Sequence, residues 1–224
     1  MILIYRDAKI AYMALWGIEP IGVRVNEKAA RTYADLMKEV KERDKVLRAC
    51  LERRVGMPAF LSEEVCYLQL RMICECIALG CLIAHGDLKP SRSVLKAYKP
   101  AVILGALDKL HPDFFPVPIE NSERAPGQID NWVQLKSGYL TQREVRSLWT
   151  YAGRKLHRGS LKGLGSSTRK PDFDVVVKWQ RKIITLLNRH HLASPDKSKL
   201  LYFQMAVHGS DGVHWALLNE MKQG

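Results

Sequence analysis

Apolar residues recur along most of this chain at the spacing of an α-helix. Between Asn26 and Arg54, Ala29, Tyr33, Leu36, Met37, Val40, Leu47 and Leu51 fall mostly at steps of three and four. That period gathers them on one stripe, which Asp44 interrupts. Asn26 suits the N-cap, because its side chain can accept a backbone N–H. Glu27 with Arg31, Glu39 with Arg43 and Asp44 with Arg48 place an acid four residues before a base, the favourable order on a helix. A break at Gly56 and Pro58 follows. The next run is different, since Val65, Tyr67, Leu68, Leu70, Met72, Ile73, Ile77, Ala78, Leu79, Leu82 and Ile83 leave little polar face. A helix apolar on nearly every side belongs at the centre of a bundle. Its predicted span is Ser62 to His85, with Glu63 and Glu64 complementing the positive end of the dipole. Glu64, Arg71 and Glu75, at steps of seven and four, share one face of it.

Beyond Gly86 the signals shorten. Pro90 opens a helical region that runs to Leu110 and is jointed at Pro100. The stretch from His111 to Asn131 has four prolines and little periodicity, which predicts a long ordered loop. The following WVQLKSGYL reads as a small turn. Thr141 and Glu144 then form the signature of a capping box, for a helix closed by Gly159. A basic Gly- and Ser-rich linker leads to Pro171, where a helix is predicted through His191, with Phe173, Val176, Val177, Ile183, Ile184 and Leu187 inward. The end of the chain changes period, because LLYFQMAV and VHWALLNE flank HGSDG as two β runs around a turn. A lone hairpin is marginal in water, so it must pack on other elements. These readings predict one domain over 1–224. It is mainly α, a helical bundle with a variable N-terminal segment (1–25) and a C-terminal β-hairpin (199–220).

Composition sharpens the picture at two points. Thirty-five Lys and Arg against 23 Asp and Glu give a net charge of +12. Such a surplus favours phosphate-bearing partners, namely RNA, DNA or anionic lipid. Cys50, Cys66, Cys74, Cys76 and Cys81 include no CxxC pair, and the Cys81/His85 spacing lacks the second pair of a zinc set. They read as small core residues of a reducing compartment, with no metal and no cofactor implied. The run from Val65 to Ala84 carries Arg71 and Glu75, which makes it a poor span, and the N-terminus lacks the order of a signal peptide. The expected location is cytoplasmic, with no membrane partner.

The positive charge is concentrated. Between Asn131 and Lys170 stand Lys136, Arg143, Arg146, Arg154, Lys155, Arg158, Lys162, Arg169 and Lys170, against the single acid Glu144. Trp132, Tyr139, Trp149 and Tyr151 are interleaved with them. Cations that grip phosphate and rings that stack on bases fit a nucleic-acid surface; aromatic core beneath a solvated face is the alternative. Within this segment Arg154 and His157 share a face near a helix end. An imidazole can shuttle a proton at a phosphodiester while a guanidinium holds the phosphate, without a metal. Both would equally complement the dipole of a helix C-terminus. Arg71 and Glu75 are a second candidate pair, either catalytic or a buried ion pair that fixes packing. Asn188, Arg189, His190 and His191 form a third cluster, whose adjacent histidines do not share a helix face. No P-loop, GxSxG, HExxH or GxGxxG motif occurs.

Two passages, LSEEVCYLQLRMICECIALGCLIAHGD and LWTYAGRKLHRGS, together with the ending around Asp211 and Gly212, resemble uncharacterised bacterial proteins related to the HEPN superfamily. The resemblance covers most but not all of the chain. It implies a compact helical bundle, often dimeric, that binds RNA or a protein partner in a defence or stress system. Metal-independent endoribonuclease activity is one outcome it implies, with His157 transferring the proton and Arg154 holding the phosphate. A non-catalytic nucleic-acid-binding or adaptor role is the alternative. The family's Arg-to-His interval is longer than the two residues between Arg154 and His157 and shorter than the ten between Arg146 and His157.

Overall fold

The computed structural model describes residues 4–6, 27–125, 128–157, 170–194, 199–206 and 211–219. Asn26, Gly159 and most of the basic linker, with Arg158, Lys162 and Arg169, lie outside them. The first helix, α1 (Glu27–Leu51), buries Ala30, Tyr33, Met37, Val40, Leu47 and Cys50. Its predicted acid–base pairs form, Glu27 with Arg31 at 2.6 Å, Glu39 with Arg43 at 2.5 Å, and Asp44 with Arg48. Asp44, the interruption in the stripe, is itself buried and accepts from Gln180 Nε2 at 2.6 Å. The polar break is therefore a satisfied bridge to another helix.

The second helix, α2 (Ala59–Ala84), begins a turn before Ser62. Glu63 accordingly does not sit in the first turn. It is buried, and its carboxylate accepts from the backbone N–H of Asp172 at 3.0 Å. As predicted, α2 is central. It packs on α1, on α4 (Pro100–Leu110), on α5 (Gln142–Leu156) and on α6 (Phe173–Leu187). By length and composition α2 could cross a membrane, but most of its apolar window is covered by these neighbours. Close approach to α1 depends on Gly80, where an added Cβ would stand 2.9 Å from the Tyr33 ring. A short 3-10 turn (Gly86–Leu88) and the four-residue helix α3 (Arg92–Leu95) connect α2 to α4, which Pro100 opens.

The remaining strands depart from the predicted organisation. The expected loop of 111–131 and the turn after it contain β2 (Val117–Ala125) and β3 (Gln128–Gln134). The helix predicted through His191 stops at Leu187, and Arg189–Ala193 is strand β4. The predicted hairpin is present as β5 (Lys199–Gln204) and β6 (His214–Asn219), paired antiparallel from Lys199↔Asn219 to Gln204↔His214. It does not stand alone. With β1 (Ile4–Arg6) the strands form one antiparallel sheet in the order β1-β6-β5-β4-β2-β3. The sheet joins the helical core through Leu192, Phe203 and Met205, with Phe203 4.3 Å from the Tyr33 ring. The protein is thus mainly helical, with an antiparallel sheet in which β4, β5 and β6, from the C-terminal third, lie between β1 on one side and the β2–β3 pair on the other.

Candidate nucleic-acid interface

Helix α5 carries the densest part of the basic segment, and its sequence orients it. Val145, Leu148, Ala152 and Gly153 are buried against α2. The capping box forms as predicted, with the Glu144 N–H donating to Thr141 Oγ1 at 3.3 Å and the Thr141 N–H to Glu144 Oε2 at 3.0 Å. Burying that stripe turns the opposite one outward. Arg143, Ser147, Thr150 and Arg154 follow at i, i+4, i+7 and i+11, all exposed, with half-buried Arg146 beside them. At 1.5 Å per residue the row extends about 16 Å. Ser147 and Thr150 donate their hydroxyl hydrogens to the Arg143 and Arg146 carbonyls, so the guanidinium groups are the free donors of this face. Arg146 Nε is buried without a hydrogen-bond partner, and no ion pair engages Arg143 or Arg154 among the described residues. The one acid, Glu144, is held by Lys182 of α6. Burial alone would raise its pKa, but hydrogen bonds from Lys182 and Thr141 outweigh this and lower it.

The other residues of the segment divide. Lys136 and Lys170 are exposed. Lys155 turns inward, with Nζ 5.4 Å from the Tyr67 ring centroid and 5.5 Å from that of Tyr151. These two rings meet edge to face at 5.7 Å, and burial pushes the Tyr67 phenol well above its ordinary value. Trp149 also faces α2. It stacks under the Arg71 guanidinium at 4.2 Å and donates its indole N–H to Glu75 Oε1 at 2.7 Å. The same carboxylate oxygen lies 3.6 Å from Arg71 Nε. Gly153, one turn beyond Trp149, leaves room for this node, since a Cβ there would stand 2.5 Å from Arg71 Nη1. Arg71 and Glu75 are thereby engaged with the α2–α5 contact. Their partner Trp149 is 74 residues from Glu75, and no spacing rule links them; the only hint was that a half-buried indole needs an acceptor.

His157 sits at the C-cap of α5, exposed, with its backbone N–H 3.4 Å from the Arg154 carbonyl. Arg154 is exposed one turn earlier. Both therefore stand on the open end of the arginine row, while Arg71 and Glu75 are packed beneath the helix.

The third cluster is dispersed by strand β4, whose alternation sends His190 into the core and leaves His191 half-buried. Elsewhere, a pocket of about 120 Å³ lies between α1 and α6, lined by Val40, Ile183, Leu187 and Met205. Its rim charges are joined to other groups, Arg48 to Asp44 and Lys45 to Glu42, unlike the arginines of α5. No group of three or more metal-ligating side chains occurs among the described residues. Comparison of the chain with protein-family models, with curated proteins and with solved structures finds no match to any of them.

Proposed function

We propose that this protein is an HEPN-like RNA-binding protein that uses the outward face of α5 to hold the phosphate backbone, and that it acts by binding. The observation that carries the reading is the row Arg143, Arg146 and Arg154, unpaired by acid among the described residues and fixed on one face of a capped helix. A rigid line of guanidinium groups engages successive phosphates and releases counterions as it does so. The adaptor-like alternative to catalysis is favoured because the Arg71–Glu75 pair is bound to Trp149, which leaves His157 no carboxylate of that pair to work with. The endoribonuclease reading draws on a single observation, the exposure of His157 beside Arg154.

The test is binding of a fluorescent single-stranded RNA to the full chain and to an Arg143→Ala/Arg154→Ala variant. The expected result is at least about a tenfold loss of affinity at moderate salt. Equal affinity for both proteins would overturn the reading. In parallel, RNA is incubated in EDTA with wild type and His157→Ala. Intact RNA in both is expected, and fragments that require His157 would replace the binding reading by the catalytic one.

A further inference from the structure

We propose a second docking surface, for an anionic phospholipid bilayer, at the corner from Lys89 to Val102. This corner lies in the link between α2 and α4, outside the α5 row, and the inference does not rest on the RNA-binding reading. Its inward positions are already filled. Val94, Pro100, Ile103 and Leu104 are buried and Ala97 is partly so. The residues between them are consequently turned out, with Leu95 59%, Tyr98 56% and Val102 46% exposed. Single exposed apolar residues are ordinary on a protein surface, but three within eight residues of one turn-rich corner concentrate apolar surface there.

The charges around that patch select its partner. Lys89, Arg92, Lys96 and Lys99 are all exposed, and none has an ion pair or side-chain hydrogen bond among the described residues. From Leu88 to Leu107 the sequence has no acidic residue; Asp87 and Asp108 flank the stretch. Four cations with three protruding apolar side chains match the two layers of a bilayer surface, lipid phosphates outside and acyl carbon just below. A tyrosine suits the boundary between them, its ring in the apolar layer and its hydroxyl among headgroups. Nucleic acid fits the cations and Tyr98 but offers no apolar seat for Leu95 or Val102, so the lipid surface accounts for more of the patch. The corner is also held in shape. Lys89 has a left-handed backbone (φ 51°), Pro90 and Pro100 bracket the segment, and Lys96 and Ala97 close the short α3 by N–H bonds to the Arg92 and Val94 carbonyls. Little ordering would be needed on contact. The proposal departs from the sequence expectation of no membrane partner, which rests on the lack of a good span or signal peptide; a peripheral contact of this kind leaves α2 in the core.

The experiment is co-sedimentation of the full chain with phosphatidylcholine vesicles and with vesicles that also contain phosphatidylserine. Wild type should sediment with the anionic vesicles alone and be released by high salt. Lys96→Glu/Lys99→Glu should weaken this by at least about tenfold, at about 1 kcal/mol per surface cation. Leu95→Ser/Tyr98→Ser should weaken it with no change in net charge, a loss that pure electrostatics would not give. These positions are exposed, and unchanged thermal unfolding of each variant confirms that the fold is intact. Arg143→Ala/Arg154→Ala serves as the control and should sediment as wild type does. The proposal is overturned if wild type ignores anionic vesicles, if the Leu95/Tyr98 variant sediments normally, or if the α5 control loses binding equally. A loss of RNA affinity in the Leu95/Tyr98 variant, with no vesicle binding by wild type, would assign the corner to nucleic acid instead.

Discussion

Both ring nitrogens of His190 are engaged inside the core. Nδ1 donates to the Leu187 carbonyl at 2.9 Å, and Nε2 accepts from the Tyr33 hydroxyl at 2.7 Å. This arrangement fits the neutral imidazole, and burial pushes its pKa down to about 4. Burial lowers His191 to about 4 as well, and His85 in the same direction. A depressed value means that the unfolded chain binds the proton more tightly, so the stability is present above the unfolded pKa and is lost as pH falls from about 6.5 toward 4. For His190 alone the loss is on the order of 3 kcal/mol. Urea unfolding between pH 7.5 and 4.5 should show it, and His190→Gln should be less stable but flatter with pH. An unchanged slope in that variant would locate the proton uptake elsewhere. Two further changes test close packing. Gly80→Ala forces a methyl against the Tyr33 ring and should cost about 1–3 kcal/mol. Trp149→Phe removes the indole donor from Glu75 and should cost a similar amount, about 1–3 kcal/mol, in the same unfolding assay. None of these residue contacts was legible in the sequence. Tyr33 and His190 stand 157 positions apart, and what joins them is the sheet pairing, which brings Phe203 and His190 against α1.

At the level of elements, legibility followed periodicity and local signals. Helices α1, α2 and α5 announce themselves through apolar spacing, and Thr141 through its capping box. Thr141→Ala should lower stability by about 1 kcal/mol, read as a drop in Tm, because the Glu144 N–H loses its acceptor. The missed strands had no such signal. In β2, Glu120, Asn121, Ser122 and Glu123 are polar in succession, so no alternation marks the two faces, and the pairing with β3 shifts register between Ser122 and Ala125. Pro118 looked like a loop residue, yet a proline can sit in a strand where its missing N–H is not needed; its carbonyl accepts from Leu135. The end of α6 was hidden for another reason. Asn188 keeps helical backbone angles (φ −56°, ψ −47°), and neither glycine nor proline follows before Arg189 enters the sheet.

For the molecule as a whole, the concentration of charge between Asn131 and Lys170 is legible in the sequence, but its division between surface and interior is not. Lys155 lies near enough in sequence to join the arginine row, and the fold turns it onto Tyr67 and Tyr151 instead. Arg143 and Arg154 remain together because eleven residues are close to three whole helical turns, and Arg146, three residues on from Arg143, lies beside them. A whole-surface measurement distinguishes a concentrated site from diffuse attraction. If the three arginines each meet one phosphate of a single strand, they account for a slope of about −2 in log affinity against log salt, and Arg143→Ala/Arg154→Ala should flatten the measured slope by about 1.4. A variant that shifts affinity with the slope unaltered would argue against phosphate contact by these residues. In sequence the apolar residues of the Lys89–Val102 corner resemble the start of an ordinary helix face; only burial of Val94 and Ile103 shows that Leu95 and Tyr98 are surplus to the core.

The pairing of Ile4–Arg6 with Ala216–Leu218 has a temporal meaning. A ribosome delivers the first of these strands some two hundred residues before the second, so a growing chain holds β1 in reserve while the helices assemble. The sheet cannot acquire its β1–β6 border until His214–Asn219 has been made. A nascent chain arrested before His214 would therefore carry two unsatisfied backbone edges, on β1 and β5, and would be the stage at which this protein most needs a chaperone.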